Sequence, residues 1–177
     1  MATTNETTTN EMTLSYEVRA IGPDVLDQLR RRDDAGSVPR IMADTDGGSP
    51  LRCCLHLSVR GEEVALVSYA PVRRWARDAG ADPGPYDEVG PVFIHPKPCG
   101  GPDGTGYPAA LAGTRRVLRA YSADGRIRGG RLAEAREVKD PVAAGLILRE
   151  IFTDPDVAVV HARAVEFGCF TFEIRRA

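Results

Sequence analysis

The chain has almost no lysine. Of its 23 basic residues only Lys97 and Lys139 are lysines, and 25 acidic residues leave a formal net charge of −2 at pH 7. No basic field therefore favours a nucleic-acid partner. The preponderance of arginine is typical of a GC-rich genome, which indicates a bacterial and, more narrowly, an actinobacterial source.

Long apolar runs and a secretion signal are also missing. No stretch approaches the roughly 20 apolar residues of a membrane-spanning helix. The N-terminal "MATTNETTTNEMT" has no charged segment followed by an apolar one. We therefore expect a cytoplasmic protein with no membrane partner. Its four cysteines would then be reduced, so structural disulfides are not expected.

The common cofactor and nucleophile motifs are absent as well. The stretch "GGPDGTG" (100–106) lacks the Gly-Lys-Ser/Thr ending of a phosphate loop. No dinucleotide fingerprint follows the first predicted strand, and no G-x-S-x-G elbow is present. We expect no cofactor and no resident metal.

What the sequence does contain is a series of short strand patterns and two helix patterns. Residues 1–12 form a polar tail, and residues 13–177 form one domain. One helix is predicted over 22–36. Another is predicted over 140–155, where Asp140 fits the N-cap and Pro141 the first helical position.

The strand patterns decide the fold class. Residues 73–88 are predicted as an irregular excursion with one helical turn. The order of elements is typical of a single α+β domain, with a twisted, mainly antiparallel β-sheet and two or more flanking helices. Strands are predicted over 14–21, 38–44, 51–59, 64–72 and 90–96, and in two hairpins over 115–132 and 157–176.

Several strands end an apolar face with a polar residue. Alternate residues of a strand share a face, so such a residue opens the face towards a cleft at the sheet edge. We expect these residues to converge on one pocket beneath the Gly/Pro-rich loop 96–108. In the last hairpin, a loop over 164–167 would place His161 opposite Phe170 and Arg163 opposite Gly168. The face-sharing pairs are Phe93 and His95, Arg119 and Tyr121, and His161 and Arg163.

Roles follow from the chemistry of these side chains. Imidazole titrates near neutral pH and a thiolate is a nucleophile, whereas guanidinium and phenol groups hold anions. Each histidine taken alone is more often a core residue with a satisfied hydrogen bond, and this structural alternative stays open. The predicted catalytic residues are His95, His161 and Cys54, and the predicted substrate-binding residues are Arg52, Arg119, Tyr121 and Arg163.

The cysteines allow a metal site as a weaker alternative. His95, Cys99, His161 and Cys169 together offer two nitrogen and two sulfur ligands of the kind zinc prefers. Their spacing lacks the tight C-x₂-C form that is diagnostic of zinc. Cys53 and Cys54 lie side by side on a predicted strand, so they would point to opposite faces and would not line one site.

Six stretches, taken together in this order and spacing, resemble an uncharacterised bacterial family, the domain of unknown function 1203. The resemblance implies a single domain that fills the chain after residue 13, but it implies no activity. Many relatives have a cysteine where this chain has Leu51, which argues against a C-x₂-C metal pair here. The stretches are "RRRDDAGSVPR" (30–40), "PLRCCL" (50–55), "GEEVALVSYAPVRRWA" (61–76), "YDEVGPVFIHPKPC" (86–99), "RVLRAY" (116–121) and "VVHARAVEFGCFTFEIRR" (159–176).

These observations predict a small cofactor-free acid–base enzyme of the isomerase, cyclase or lyase type. It would act on a small anionic molecule, in the setting of actinobacterial specialised metabolism. Its partner would be that small-molecule ligand or substrate, with a homodimer as one option for its assembly. The alternatives are a non-catalytic ligand-binding protein, a thiol redox sensor and, less favoured, a zinc-binding protein.

Overall fold

The computed structural model describes residues 15–177, so the tail predicted over residues 1–12 lies outside the described part of the chain. Its helices are α1 (Pro23–Leu29), α2 (Pro71–Ala79) and α3 (Pro141–Ile151), with short 3₁₀ turns at Gly84–Tyr86 and Ala109–Leu111. Its strands are β1 (Tyr16–Arg19), β2 (Arg40–Asp44), β3 (Glu62–Tyr69), β4 (Gly90–Ile94), β5 (Arg116–Ser122), β6 (Ile127–Ala133), β7 (Val157–Ala164) and β8 (Phe170–Arg176).

The strands form two antiparallel sheets. A five-stranded sheet has the order β1-β8-β7-β5-β6, and a three-stranded sheet has the order β2-β3-β4. Two sheets with three helices confirm the predicted α+β class. Within residues 15–177, no helix has the length and apolar character needed to cross a membrane.

Helix α3 covers one face of the five-stranded sheet. Its start follows the predicted signal, because the Asp140 carboxylate accepts a hydrogen bond from the Ala143 N–H at 2.8 Å and Pro141 opens the helix. Burial of its apolar stripe against the sheet provides the main hydrophobic core of the domain. That core includes Ala144, Ile147 and Leu148 of the helix and Leu118, Val160, Phe172 and Ile174 of the sheet.

Helix α2 covers the opposite face and corrects the prediction of an irregular excursion over 73–88. It ends at Gly80, which adopts a left-handed φ of 68°. Its start is held from a distant segment, because the Asp34 carboxylate accepts from the Ala70 N–H at 2.8 Å and pairs with Arg74. A capping group 36 residues away leaves no local signal, which is why the sequence pattern missed this helix.

The first hairpin is also different from the prediction. Strand β3 pairs with β2, and Met42 lies opposite Val64. The segment 51–59, predicted as a strand, instead contains a turn whose residues 51–55 are buried, and it joins the ladder only through isolated bridges. The apolar residues at its start suggested a strand, but they are buried within a loop, and Leu57 and Val59 are exposed.

The register of the last hairpin differs as well. Strand β7 pairs with β8, but a bulge lies between Ala162 and Arg163. The hairpin closes at Ala164, whose N–H donates to the Cys169 carbonyl at 2.9 Å, so Arg163 faces Phe170 rather than Gly168. The bulge adds one further residue of shift, so His161 faces Glu173 rather than Phe170. The bulge is what gives His161 a carboxylate neighbour.

Candidate functional site

Four ligand-type side chains meet beside the end of β4. Cys53 and Cys54 belong to the turn 51–56, His95 follows β4 directly, and Cys99 lies in the loop that comes next. One sulfur or ring-nitrogen atom from each of the four lies within 4.8 Å of the corresponding atom of every other. We refer to these residues as the thiol–imidazole cluster.

The turn explains how two adjacent cysteines reach one site. The Leu51 N–H donates to the His56 carbonyl at 2.9 Å and the Leu55 N–H to the Leu51 carbonyl at 2.8 Å, which closes the turn. Leu55 has a left-handed φ of 62°, an unusual conformation for a branched residue. The expectation that Cys53 and Cys54 point to opposite faces was therefore wrong, because it required an extended strand here.

The ring of His95 is held at both nitrogens. Nδ1 lies 3.2 Å from the Cys53 sulfur and 3.9 Å from the Cys54 sulfur. Nε2 lies 2.8 Å from a carboxylate oxygen of Glu62, at the start of β3. A carboxylate accepts a hydrogen bond, so Nε2 carries the proton and Nδ1 presents its lone pair to the sulfurs.

The two adjacent thiols differ in acidity. A hydrogen bond from the Cys53 thiol lowers the pKa of Cys54 to about 6. The same hydrogen bond, together with burial, raises the pKa of Cys53. The pair therefore holds one thiolate readily at neutral pH, which favours binding of a cation.

The loop that carries Cys99 is tied down at several points. The Arg30 guanidinium donates to the carbonyls of His95 and Lys97 at 3.2 and 3.1 Å. Farther along, His56 Nε2 lies 2.8 Å from the Asp103 carboxylate, which raises the pKa of His56. Cys99 itself is exposed, whereas Cys53 and Cys54 are buried, so the cluster opens to solvent on the Cys99 side.

Two cavities border the cluster. One of about 310 Å³ is lined by Cys54, His56 and Asp103. A second, of about 570 Å³, is lined by Cys53 and Cys99 together with apolar residues of β1 and α1. The loop 96–108, predicted to fold over a pocket, contributes residues to both.

A second group of polar residues lies on the α2-facing side of the five-stranded sheet. Arg119 Nη1 lies 3.0 Å from Glu88 Oε1, and Arg163 forms an ion pair with the same oxygen. The rings of Tyr121 and His161 lie beside each other with centroids 5.0 Å apart. We refer to Glu88, Arg119, Tyr121, His161 and Arg163 as the arginine–glutamate group.

His161 is the most deeply buried member of this group, at 0% exposure. Burial lowers its pKa, although Glu173, whose carboxylate lies 3.4 Å from His161 Nε2, acts in the opposite direction. His161 therefore remains neutral at neutral pH. Its environment combines a carboxylate with the aromatic rings of Tyr121 and Phe170.

The structure divides the predicted pocket into two. Arg119, Tyr121, His161 and Arg163 come together as predicted, but their contacts and those of His95 have no residue in common. The two groups belong to different sheets: His95 follows the three-stranded sheet, whereas the arginine–glutamate group lies on the five-stranded one. A shared face within each strand was predictable, whereas the packing of one sheet on another was not.

Arg52 belongs to neither group. It is buried, and its guanidinium donates to the Phe170 carbonyl at 2.8 Å and to the Pro50 carbonyl. Burial lowers its pKa to about 10. Its hydrogen bonds are to backbone oxygens, so it positions the turn 51–56 rather than a ligand.

The set of ligand-type residues also differs from the weaker zinc alternative. His95 and Cys99 are neighbours as that alternative supposed, but Cys53 and Cys54 complete the set in place of His161 and Cys169. Sequence reasoning also missed Glu62, which lies 33 residues before its partner His95. An alternating strand with two adjacent glutamates gives no signal that one of them binds a histidine.

Comparison with known proteins places the chain in a family. The family model described as "Protein of unknown function (DUF1203)" matches residues 48–176, which include every member of both groups. No curated protein and no solved structure matches the chain.

Proposed function

The chain belongs to the DUF1203 family of proteins of unknown function, and from the chain's own residues we propose that it binds a zinc ion. The description of the family assigns no activity. Cys53, Cys54, Cys99 and His95 would be the four ligands. This proposal moves zinc from the least favoured alternative to the first, because the folded turn places Cys53 and Cys54 on the same side.

The observation that carries the proposal is the mutual distance of the four donor atoms, all within 4.8 Å. Tetrahedral zinc, with bonds of about 2.3 Å to sulfur and about 2.0 Å to nitrogen, needs ligand atoms about 3.5–3.8 Å apart. The cluster is therefore near the required size, and small side-chain rotations would complete it. Three thiolates and an imidazole are a ligand set that favours zinc over magnesium or calcium.

The environment of His95 supports the same conclusion. A histidine that binds a metal usually donates its other ring N–H to a carboxylate, which fixes the tautomer and the ring plane. Glu62 makes this contact at 2.8 Å while Nδ1 faces the sulfurs. A second oxygen of Glu62 accepts from the Val59 N–H at 2.8 Å, so the carboxylate is itself held in place.

The acid–base enzyme expected from the sequence stays a prediction, as does its setting in actinobacterial metabolism. For His95 this role is disfavoured, because both ring nitrogens are already engaged. For His161 the role would require access to a side chain that is completely buried. The redox-sensor alternative uses the same thiols as the zinc proposal, so one experiment compares the two.

The experiment measures metal content and cobalt substitution of the full-length protein, purified under reducing conditions. We expect about one zinc per chain by elemental mass spectrometry. After exchange into Co²⁺, we expect thiolate-to-cobalt charge-transfer bands in the near ultraviolet and the visible bands of tetrahedral cobalt. The variants are Cys53→Ser, Cys54→Ser, Cys99→Ser and His95→Gln, and Cys169→Ser is the matched control.

The expected result is loss or strong weakening of cobalt binding in the four variants and full binding in Cys169→Ser. Absence of charge-transfer bands in the wild-type protein would overturn the proposal. Cobalt binding by Cys53→Ser and Cys99→Ser that equals that of the wild type would also overturn it. If the protein binds neither zinc nor cobalt and forms a reversible disulfide between cluster cysteines under mild oxidation, the redox-sensor alternative replaces the zinc proposal.

A further inference from the structure

The arginine–glutamate group contains more positive charge than its carboxylate balances. Both guanidinium groups, those of Arg119 and Arg163, contact the same oxygen of Glu88. The other nearby carboxylate, that of Glu173, is paired with Arg175 and lies beside His161. Two cations therefore share one carboxylate oxygen on a largely buried sheet face.

Three buried polar atoms of the group have no hydrogen-bond partner among the described residues. They are the hydroxyl oxygen of Tyr121, Nδ1 of His161 and Nη1 of Arg163, and the last of these contacts Glu88 only as an ion pair. All three side chains are buried, and buried polar atoms normally have a partner in the protein, in water or in a ligand. Burial raises the pKa of Tyr121, and the nearby guanidinium groups of Arg119 and Arg163 act in the opposite direction.

A cavity of about 240 Å³ opens to solvent beside two members of this group, Glu88 and Arg163, and its lining also includes Tyr69. The side chain of Glu88 is 38% exposed, whereas that of Arg163 is 9% exposed. Glu88 therefore occupies the outer position, and the cation lies behind it.

We propose that the arginine–glutamate group is a binding site for a small organic carboxylate, and that the Glu88 carboxylate occupies the ligand's position in the free protein. A ligand carboxylate would take over the contacts with Arg119 and Arg163 in charge-assisted hydrogen bonds. The Tyr121 hydroxyl does not line the cavity and has no hydrogen-bond partner within residues 15–177, and it would become a third donor once the ligand replaces Glu88. The cavity volume limits the ligand to a few non-hydrogen atoms beyond the carboxylate.

This inference is independent of the zinc proposal. The two groups share no residue, and nothing in the carboxylate site requires the thiol–imidazole cluster to be loaded. If the protein does not bind zinc, the carboxylate proposal still stands. If it does not bind carboxylates, the zinc proposal still stands.

The chain has one tryptophan, Trp75 of α2, which packs in one apolar cluster with Tyr121. Its fluorescence therefore reports on the site. We would titrate acetate and succinate, with isothermal calorimetry as a second readout, into the wild-type protein and into Glu88→Gln. Because Glu88→Gln removes the competing charge but keeps the side-chain volume, we expect it to bind about tenfold more tightly than the wild type.

The cation variants complete the test. In the Glu88→Gln background, Arg119→Gln and Arg163→Gln should each abolish saturable binding. Arg128→Gln, which removes an exposed arginine from β6, should not change it. Arg119 is partly exposed, so its variant keeps the test valid if replacement of buried Arg163 unfolds the protein.

Three results would overturn the inference. The first is no saturable response of Glu88→Gln to either carboxylate. The second is an equal response after Arg119→Gln, which would show that binding takes place elsewhere. The third is tighter binding of inorganic phosphate than of acetate or succinate at equal ionic strength, which would replace the carboxylate class with phosphate.

Discussion

Glu62 and His95 are joined across the three-stranded sheet by a hydrogen bond of 2.8 Å between a carboxylate oxygen and Nε2. Glu62 lies at the start of β3 and His95 directly after β4, so the contact depends on the antiparallel pairing of these strands. It fixes the ring of His95 with Nδ1 towards the two sulfurs. The position of a single carboxylate thereby determines which nitrogen of His95 is available to a metal.

Glu62→Gln should weaken zinc binding by about 10- to 100-fold, because the amide holds the imidazole less firmly and does not raise its basicity. The measurement is competition with a chromogenic zinc chelator. Glu63→Gln is the matched control, since Glu63 is the exposed neighbour of Glu62 on the same strand. Equal zinc affinity in Glu62→Gln and the wild type would show that the contact with His95 does not support a metal.

Asp34→Asn should lower the free energy of unfolding by about 3–5 kcal/mol, because it leaves the guanidinium of Arg74 without its buried carboxylate. The two side chains of this pair are each 10% exposed. Urea denaturation followed by circular dichroism measures the change. Asp78→Asn breaks the exposed pair of Arg77 and Asp78 on the same helix and should cost less than about 1 kcal/mol. Similar losses in both variants would contradict the structural role of Asp34.

The free energy of unfolding should rise with pH over the range just below pH 6.5. Burial lowers the pKa of His161 in the folded state, so the unfolded state binds more protons in this range. Stability is therefore lost as the pH falls below the unfolded pKa of about 6.5. Urea titrations at a series of pH values measure this slope.

The His161→Gln variant should reduce this slope, and Cys54, whose pKa is lowered to about 6, accounts for a remaining contribution of the same sign. His56→Gln should retain the slope, because the contact with Asp103 raises the pKa of His56 and gives its contribution the opposite sign. The carboxylate next to His161, that of Glu173, has a lowered pKa and titrates in a more acidic range. An unchanged slope in His161→Gln would mean that another group is responsible.

Leu148→Ala should destabilise the protein by about 2–5 kcal/mol, because it leaves a cavity where α3 packs on the five-stranded sheet. Leu148 has 0% exposure, whereas Leu146 on the same helix has 60%. Leu146→Ala should change stability by less than about 0.5 kcal/mol. Thermal unfolding of the two variants measures the difference directly, and equal midpoints would be inconsistent with the packing of α3.

Elements with local signals could be predicted from the sequence. Asp140 and Pro141 mark the start of α3, the Asp124-Gly125 turn joins β5 to β6, and alternation predicts the shared face of His161 and Arg163. These features depend on residues a few positions apart. The same is true of the α+β class, which follows from the order of the elements.

The features that the sequence did not predict depend on contacts between distant parts of the chain. Helix α2 is held at its start by Asp34, and a bulge at Ala162 changes the register of His161. The thiol–imidazole cluster could not be predicted, because the turn 51–56 has the composition of a strand. Its geometry arises only when the turn packs against β4. The separation of the thiol–imidazole cluster from the arginine–glutamate group depends on how the two sheets pack, and the sequence does not show this packing.

Arg52 by itself forms hydrogen bonds to both sheets. Its backbone N–H donates to the Phe93 carbonyl of β4 at 2.9 Å, and its guanidinium donates to the Phe170 carbonyl of β8 at 2.8 Å. The next two residues are Cys53 and Cys54, so the residue that links the sheets is continuous with the residues that would bind zinc. Sliding of one sheet against the other would therefore alter the spacing of the sulfurs. A metal bound there would in turn act as a clamp that resists such sliding.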